Sequence, residues 1–155
     1  MKRLGIDIGS TTIKCTVLDE DGSILWSTYE RHQSKINLKL SGLLSKIRSL
    51  FPEDEEMITA FSGSAGMGVA ESLSVPFVQE VYATRLAVEK REKDIDVVIE
   101  LGGEDAKILF LTGAVEVRMN GSCAGGTGAF IDQMAQLMGI TPNVMNDMAH
   151  NSKKR

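Results

Sequence analysis

GIDIGSTTIK, residues 5–14, runs an apolar alternating segment into an acid, a glycine, three hydroxyl side chains and a lysine. LGIDIG (4–9) and IKCTVLDE (13–20) are short, apolar and β-branched, so the Gly-Ser-Thr-Thr between them predicts a hairpin. A tight turn asks for the glycine, but not for Ser10, Thr11, Thr12 and Lys14 together. Their amides and hydroxyls can converge on one point, as an anion cradle does. Gly9 lets a bound group approach the backbone and tolerates unusual dihedrals. Lys14 adds a charge suited to phosphate, and Asp7 offers a hard carboxylate to a magnesium ion or its waters. A hairpin whose polar residues only satisfy their own backbone reads the same way. No helix follows the turn, so it is not a Walker A loop.

Outward from this hairpin, DEDG (19–22) predicts a second turn and ILWSTYERH (24–32) a third strand. Leu40, Leu43, Leu44, Ile47, Leu50 and Phe51 recur at helical spacing, and Pro52 ends that helix. EEMITAFSG (55–63) reads as a buried strand, followed by a short helix over 69–73 and a strand PFVQEV (76–81). A helix from about Tyr82 closes in the solvated charge run EKREKD (89–94). The pattern then restarts with strands DVVIELGG (96–103), KILFLTG (107–113) and AVEVRMN (114–120). After the loop GSCAGGTG (121–128), Phe130, Ile131, Met134, Leu137 and Met138 form one helix face that stops at Gly139. The order predicts an α/β chain with a mixed sheet flanked by helices, in two related domains, 1–93 and 94–155. The second holds too few elements to cover a sheet and is expected to be incomplete.

Composition narrows the class. With 155 residues, 43% of them apolar, the chain can bury a core. A net charge of −4 argues against nucleic-acid binding, which relies on basic surface. No apolar run nears the roughly 20 residues of a membrane span, and the start runs straight into a strand rather than a signal peptide. Two cysteines build no disulfide framework, which predicts a soluble, cytoplasmic protein. Cys15 is expected in the core, and His32 and His150 on the surface.

ELGGEDAKI (100–108) is a second strand–glycine–strand turn flanked by acids. Two facing hairpins are expected to hold a polyphosphate, with Asp7 and Asp105 near the metal and Glu104 near an attacking water. Phosphoryl transfer depends mostly on such positioning and charge neutralisation. A solvated turn is the alternative for Glu100, Glu104 and Asp105. At these residues the chain resembles the actin–hexokinase–heat-shock-chaperone ATPase superfamily, which implies ribonuclease-H-like (actin-like ATPase) domains and ATP binding.

In GSCAGGTGAFIDQMA (121–135), Cys123 sits in a glycine-rich loop ahead of a helix. Free amides and the helix dipole stabilise a thiolate there, and Gly125, Gly126, Thr127 and Gly128 suit a phosphate at the same helix N-terminus. Cys123 also reads as a small packed residue or a redox thiol. One thiolate cannot hold an iron–sulfur cluster, which takes four, but two chains supplying two each can do so at a dimer axis.

DIGSTTIK, ELGGEDAK and GSCAGGTGAF, in that order, are similar to the activator (activase) of 2-hydroxyacyl-CoA dehydratases and its relatives in benzoyl-CoA reductase systems. The resemblance implies a homodimer sharing one [4Fe-4S] cluster. ATP binding and hydrolysis to ADP, with Mg2+, would drive one electron from a donor such as ferredoxin or flavodoxin to a dehydratase or reductase partner. It assigns Gly9, Ser10, Thr11, Thr12, Lys14, Gly102, Gly103, Gly126, Thr127 and Gly128 to the nucleotide. Glu104 joins them there, with Asp7 and Asp105 acting catalytically and on Mg2+ through water, and Cys123 on the cluster. Glu100 and Glu104 stand where relatives often carry Asp and Gln. A second cluster cysteine and the adenine site are expected in a later segment. A sugar or acid kinase of the same superfamily and a non-enzymatic nucleotide sensor are the competing expectations.

Overall fold

Alternate residues of β1 (Lys2–Ile8) divide between two environments: Leu4, Ile6 and Ile8 are buried, while Gly5 and Asp7 face the other way. β2 (Thr12–Leu18) returns antiparallel, placing Val17, Cys15 and Ile13 opposite Leu4, Ile6 and Ile8. β3 (Ile24–Arg31) continues the meander on the outer edge of β2. β4 (Met57–Ser62) joins the far edge parallel to β1, giving a mixed sheet ordered β3-β2-β1-β4. Across that sheet the apolar row continues into Phe61, which sits level with Ile6.

α1 (Ile36–Leu50) buries Leu40, Leu43 and Ile47 against this row, and α2 (Met67–Leu73) adds Ala70. Each fully buried Ile or Phe contributes about 1.5–3 kcal/mol, so these residues anchor the unit. α1 ends at Leu50, with Phe51 already extended and Arg48 in the last turn, where a cation suits the helix dipole. α3 (Glu80–Arg91) buries none of its residues. It borders a groove of about 550 Å³ over the opposite sheet face, floored by Gly5, Asp7, Lys14, Thr16, Ala60 and Ser62.

These elements belong to the first of two compact units, Met1–Lys93 and Asp94–Arg155. In the second, β5 (Val97–Leu101), β6 (Ala106–Phe110) and β7 (Glu116–Met119) form an antiparallel sheet in sequence order. α4 (Gly128–Leu137) and α5 (Pro142–His150) follow. This computed structural model describes residues 1–51, 56–92, 94–113, 116–119 and 126–153.

Three expectations change. The strand at 76–81 contracts to one parallel bridge, Phe61 to Phe77: Phe61 N–H donates to Pro76 O at 2.8 Å and Val78 N–H to Phe61 O at 2.8 Å. α3 takes over from Glu80, because Gln79 turns the backbone and the next residues favour a helix. α5 is an element the periodicity missed. Its local signal is Thr141-Pro142, with Pro at the first turn and Thr141 Oγ1 accepting from Val144 N–H at 3.3 Å. The third change is His32, expected on the surface and found only 3% exposed.

Candidate functional site

The first glycine turn joins β1 to β2. Gly9 N–H donates to Thr12 O at 2.9 Å, leaving Ser10 and Thr11 at the tip. Ser10 is exposed, Thr11 half-buried and Thr12 buried. Gly9 does not occupy the left-handed region, and an added Cβ would meet no neighbour closer than Thr12 O at 3.7 Å. The fold therefore leaves room for a side chain at Gly9, and its own dihedrals do not require the glycine.

Asp7 and Lys14 face each other across the ladder. Lys14 Nζ lies 2.7 Å from Asp7 Oδ2, and the side chains are 36% and 38% exposed. The same ammonium lies 5.6 Å from the centre of the Tyr29 ring, the next residue in that row. An ion pair this exposed is worth only about 0–1 kcal/mol, so a phosphate or a cation can displace either partner at little cost. Both residues line the groove beside α3.

The second turn repeats the first at a spacing of 93 residues: DIGSTTIK (7–14) and ELGGEDAK (100–107) align position for position. Gly102 N–H donates to Asp105 O at 2.8 Å, the same closing bond. Lys107 stands opposite Glu100 as Lys14 stands opposite Asp7. Here the lysine side chain is 7% exposed, with Nζ 3.7 Å from Glu100 Oε1 and 3.5 Å from Asp105 Oδ2. Glu104 is exposed at the tip. At Gly102 a Cβ would lie 2.8 Å from Asp105 Oδ1 and 3.0 Å from Asp105 O, so a side chain there would have to displace the Asp105 carboxylate. Lys107 went unassigned in the sequence reading, although the shared terminal lysine of the two octapeptides marks it.

Gly126, Thr127 and Gly128 lead into α4, and α4 is fastened to the second turn. Gly128 N–H donates to Gly102 O at 3.0 Å and Ala129 N–H to Gly103 O at 2.8 Å. Two amides at the start of this helix are thus engaged by carbonyls of the turn. Thr127, at the N-cap, is fully buried, and its Oγ1 has no hydrogen-bond partner among the described residues. Cys123 lies outside the described residues. So does Gly125.

Gly63 was noted in the sequence only as part of a strand end. Its φ is +93°, and a Cβ there would collide with Ile8 O and Asp7 Oδ1. Ala65 N–H donates to Ile8 O at 2.9 Å, so the segment after β4 closes over the end of β1. That close approach, rather than any local signal, demands the glycine.

The described donor sets fit the expected groups unequally. No cluster of three or more His, Cys, Asp or Glu side chains suited to a metal occurs among the described residues. Mg2+ carried by a nucleotide asks for only one or two carboxylates, the rest being phosphate oxygens and water, so Asp7 and Asp105 suit it. Cys15 does not suit an iron–sulfur cluster. It is fully buried, and burial, reinforced by the Glu30 charge, pushes its thiol up to about 11.

Known proteins resemble this chain in sequence and fold. The profile described as the BadF/BadG/BcrA/BcrD ATPase family matches residues 4–155. The chain is 23% identical to the (R)-2-hydroxyglutaryl-CoA dehydratase activating ATPase of Acidaminococcus fermentans, over 98% of this chain and 59% of that protein. The structure of the activator of the 2-hydroxyisocaproyl-CoA dehydratase from Clostridium difficile with bound ADPNP superimposes with a TM-score of 0.83 at 26% identity, covering 100% of this chain and 59% of that one. Ethanolamine utilization protein EutJ from Carboxydothermus hydrogenoformans shares the fold, with a TM-score of 0.68 at 15% identity over 97% of this chain and 62% of that one. The fold is that of the actin-like ATPases. The chain spans about three-fifths of the activators it matches.

Proposed function

Because this chain belongs to the BadF/BadG/BcrA/BcrD ATPase family, we propose that its protein is an ATP-dependent activator. In this reading it hydrolyses ATP to drive one-electron transfer to a 2-hydroxyacyl-CoA dehydratase-type or related reductase partner. The observation that carries the proposal is the doubled hairpin, DIGSTTIK and ELGGEDAK, closed by the same backbone bond and carrying an acid–lysine pair at the same register. The bound ADPNP named for the Clostridium difficile activator supports a nucleotide as the ligand.

Each hairpin serves as a phosphate-binding element of its own unit, in two actin-like ATPase domains. In the first, Ser10, Thr11 and Thr12 present backbone amides and hydroxyls, the missing Cβ at Gly9 lets a phosphate oxygen reach the main chain, and Lys14 exchanges Asp7 for phosphate. Asp7 would then hold a water of Mg2+. In the second, Gly102 and Gly103 shape the turn, Glu104 would orient an attacking water and Asp105 would hold a water of Mg2+. Gly126, Thr127 and Gly128 complete that side of the nucleotide site.

Cys123 is the candidate thiolate for a [4Fe-4S] cluster shared by two copies of the protein, which would supply the low-potential electron received from a ferredoxin or flavodoxin. The other cysteine of the chain, Cys15, is sealed in the core of the first unit. No described helix is long and apolar enough to cross a membrane, and we place the protein in the cytoplasm.

The test is anaerobic purification of the protein at its full encoded length, with iron content, dimer mass, ADP affinity and ATP hydrolysis measured together. The activator reading expects an iron-containing dimer that hydrolyses ATP, and expects Cys123→Ser to remove iron while leaving ADP affinity intact. An iron-free protein that phosphorylates a sugar or acid with ATP would make it a kinase, and one indifferent to adenine nucleotides would end both readings.

A further inference from the structure

His32, expected on the surface, is almost wholly buried beside the first glycine turn. Its ring and its backbone both reach that turn. Nε2 lies 3.0 Å from Gly9 O, and the His32 backbone N–H donates to Thr11 O at 3.2 Å. On the other side of the ring, Ser34 N–H donates to Nδ1 at 3.1 Å. A backbone N–H can only donate, so Nδ1 is the acceptor and Nε2 carries the proton that Gly9 O receives. The ring is held as one neutral tautomer.

The segment that aims Ser34 at the ring is itself constrained. Gln33 and Ser34 have φ values of 49° and 60°, in the left-handed region that non-glycine residues adopt at a cost of about 1–2 kcal/mol each. Lys35 N–H closes the bend by donating to His32 O at 2.8 Å. Such conformations persist where the surroundings over-determine them, and here they place an amide on His32 Nδ1.

Fastening two carbonyls of the turn has a geometric result. In a planar trans peptide the carbonyl and the following N–H point in opposite directions. With Gly9 O and Thr11 O drawn toward His32, the amides of Ser10 and Thr12 are turned away from it, to the side on which an anion would bind. We propose that His32 is a positioning residue which holds the Gly9–Thr12 turn in its anion-binding conformation through the Nε2–H···O=C bond to Gly9. This rests on the reading of that turn as a phosphate-binding element.

The experiment compares His32→Gln, His32→Asn and His32→Ala in the protein at its full encoded length. Glutamine can place an amide N–H where Nε2–H lies, whereas asparagine can replace only the Nδ1 acceptor for Ser34. Hydrogen exchange of the amides of residues 10–12 is measured without nucleotide, ADP affinity by calorimetry, and both well below every variant's melting temperature. Faster exchange and about tenfold weaker ADP binding are expected for His32→Ala and His32→Asn, with both restored toward the parent in His32→Gln. Exchange and affinity unchanged in His32→Ala, or rescue by asparagine but not by glutamine, would overturn the proposal. Nitrogen NMR of the unaltered protein gives an independent readout: His32 should show Nε2 protonated and Nδ1 bare, and the opposite tautomer would also overturn it. If the parent binds no ADP while the exchange pattern follows His32 as described, the nucleotide reading fails and the positioning role stands.

Discussion

Lys107 stands directly opposite Glu100 on the β5–β6 ladder, with its ammonium 3.7 Å from Glu100 Oε1 in a side chain only 7% exposed. Glu100 Oε2 is buried without a hydrogen-bond partner among the described residues, so the lysine is what offsets this carboxylate's desolvation. Lys107→Met is expected to destabilise the protein by about 1–3 kcal/mol, the range for stranding a buried polar group. Adding Glu100→Gln should recover part of the loss. A denaturant double-mutant cycle checks this, and strict additivity would show that the two residues are not coupled.

The equivalent pair in the first unit is predicted to behave differently, because Asp7 and Lys14 are more than one-third exposed. Lys14→Met should change unfolding free energy by under about 1 kcal/mol, yet weaken ADP binding about tenfold or more through loss of a charge-assisted phosphate contact. Calorimetric titration beside a urea melt separates the two effects. A variant that melts early but binds ADP normally would contradict this division.

Gly9 and Gly63 should separate ligand from fold in the same way. Gly63→Ala forces a Cβ into Ile8 O and Asp7 Oδ1 at a φ of +93°, and loss of several kcal/mol or of soluble protein is expected. Gly9→Ala meets only ordinary van der Waals contact, 3.7 Å from Thr12 O, and should melt within about 1 kcal/mol of the parent, while its new methyl group would obstruct the approach of phosphate. Thermal melts with and without ADP report both outcomes.

Cys15 makes an alkaline prediction. Burial raises its thiol from 9.0 in the reference state to about 11 in the fold. Between those values the folded chain keeps a proton that the unfolded chain has lost, so stability falls as pH rises from 9 toward 11 and is unaffected below 9. The loss is about 2 kcal/mol at pH 11 and levels off just under about 3 kcal/mol above it, at 1.36 kcal/mol per unit. Cys15→Ala should flatten this part of the pH–stability curve, although its cavity lowers stability at every pH. In the native protein at neutral pH, Cys15 should resist alkylating reagents.

The strands of both hairpins were legible because each is a short apolar run beside a glycine turn. α1 was legible because Leu40, Leu43 and Ile47 repeat at helical spacing. The expected strand at 76–81 failed because Phe77 and Val78 give an apolar pair too short to fix a period, and the chain beyond them is already committed to α3. The chemistry of the turns was readable as residue types. The roles of His32 and Gly63 were not, because each is set by a neighbour distant in sequence: Gly9 for the histidine, and Ile8 for the glycine.

The bonds from Gly128 and Ala129 to the carbonyls of Gly102 and Gly103 make α4 a lever whose fulcrum is the second turn. A helix of ten residues is about 15 Å long, so tilting the turn by a few degrees swings the far end of α4 by about an ångström while its root barely moves. A shift of the Gly102–Gly103 backbone would in this way be carried into α4 as displacement.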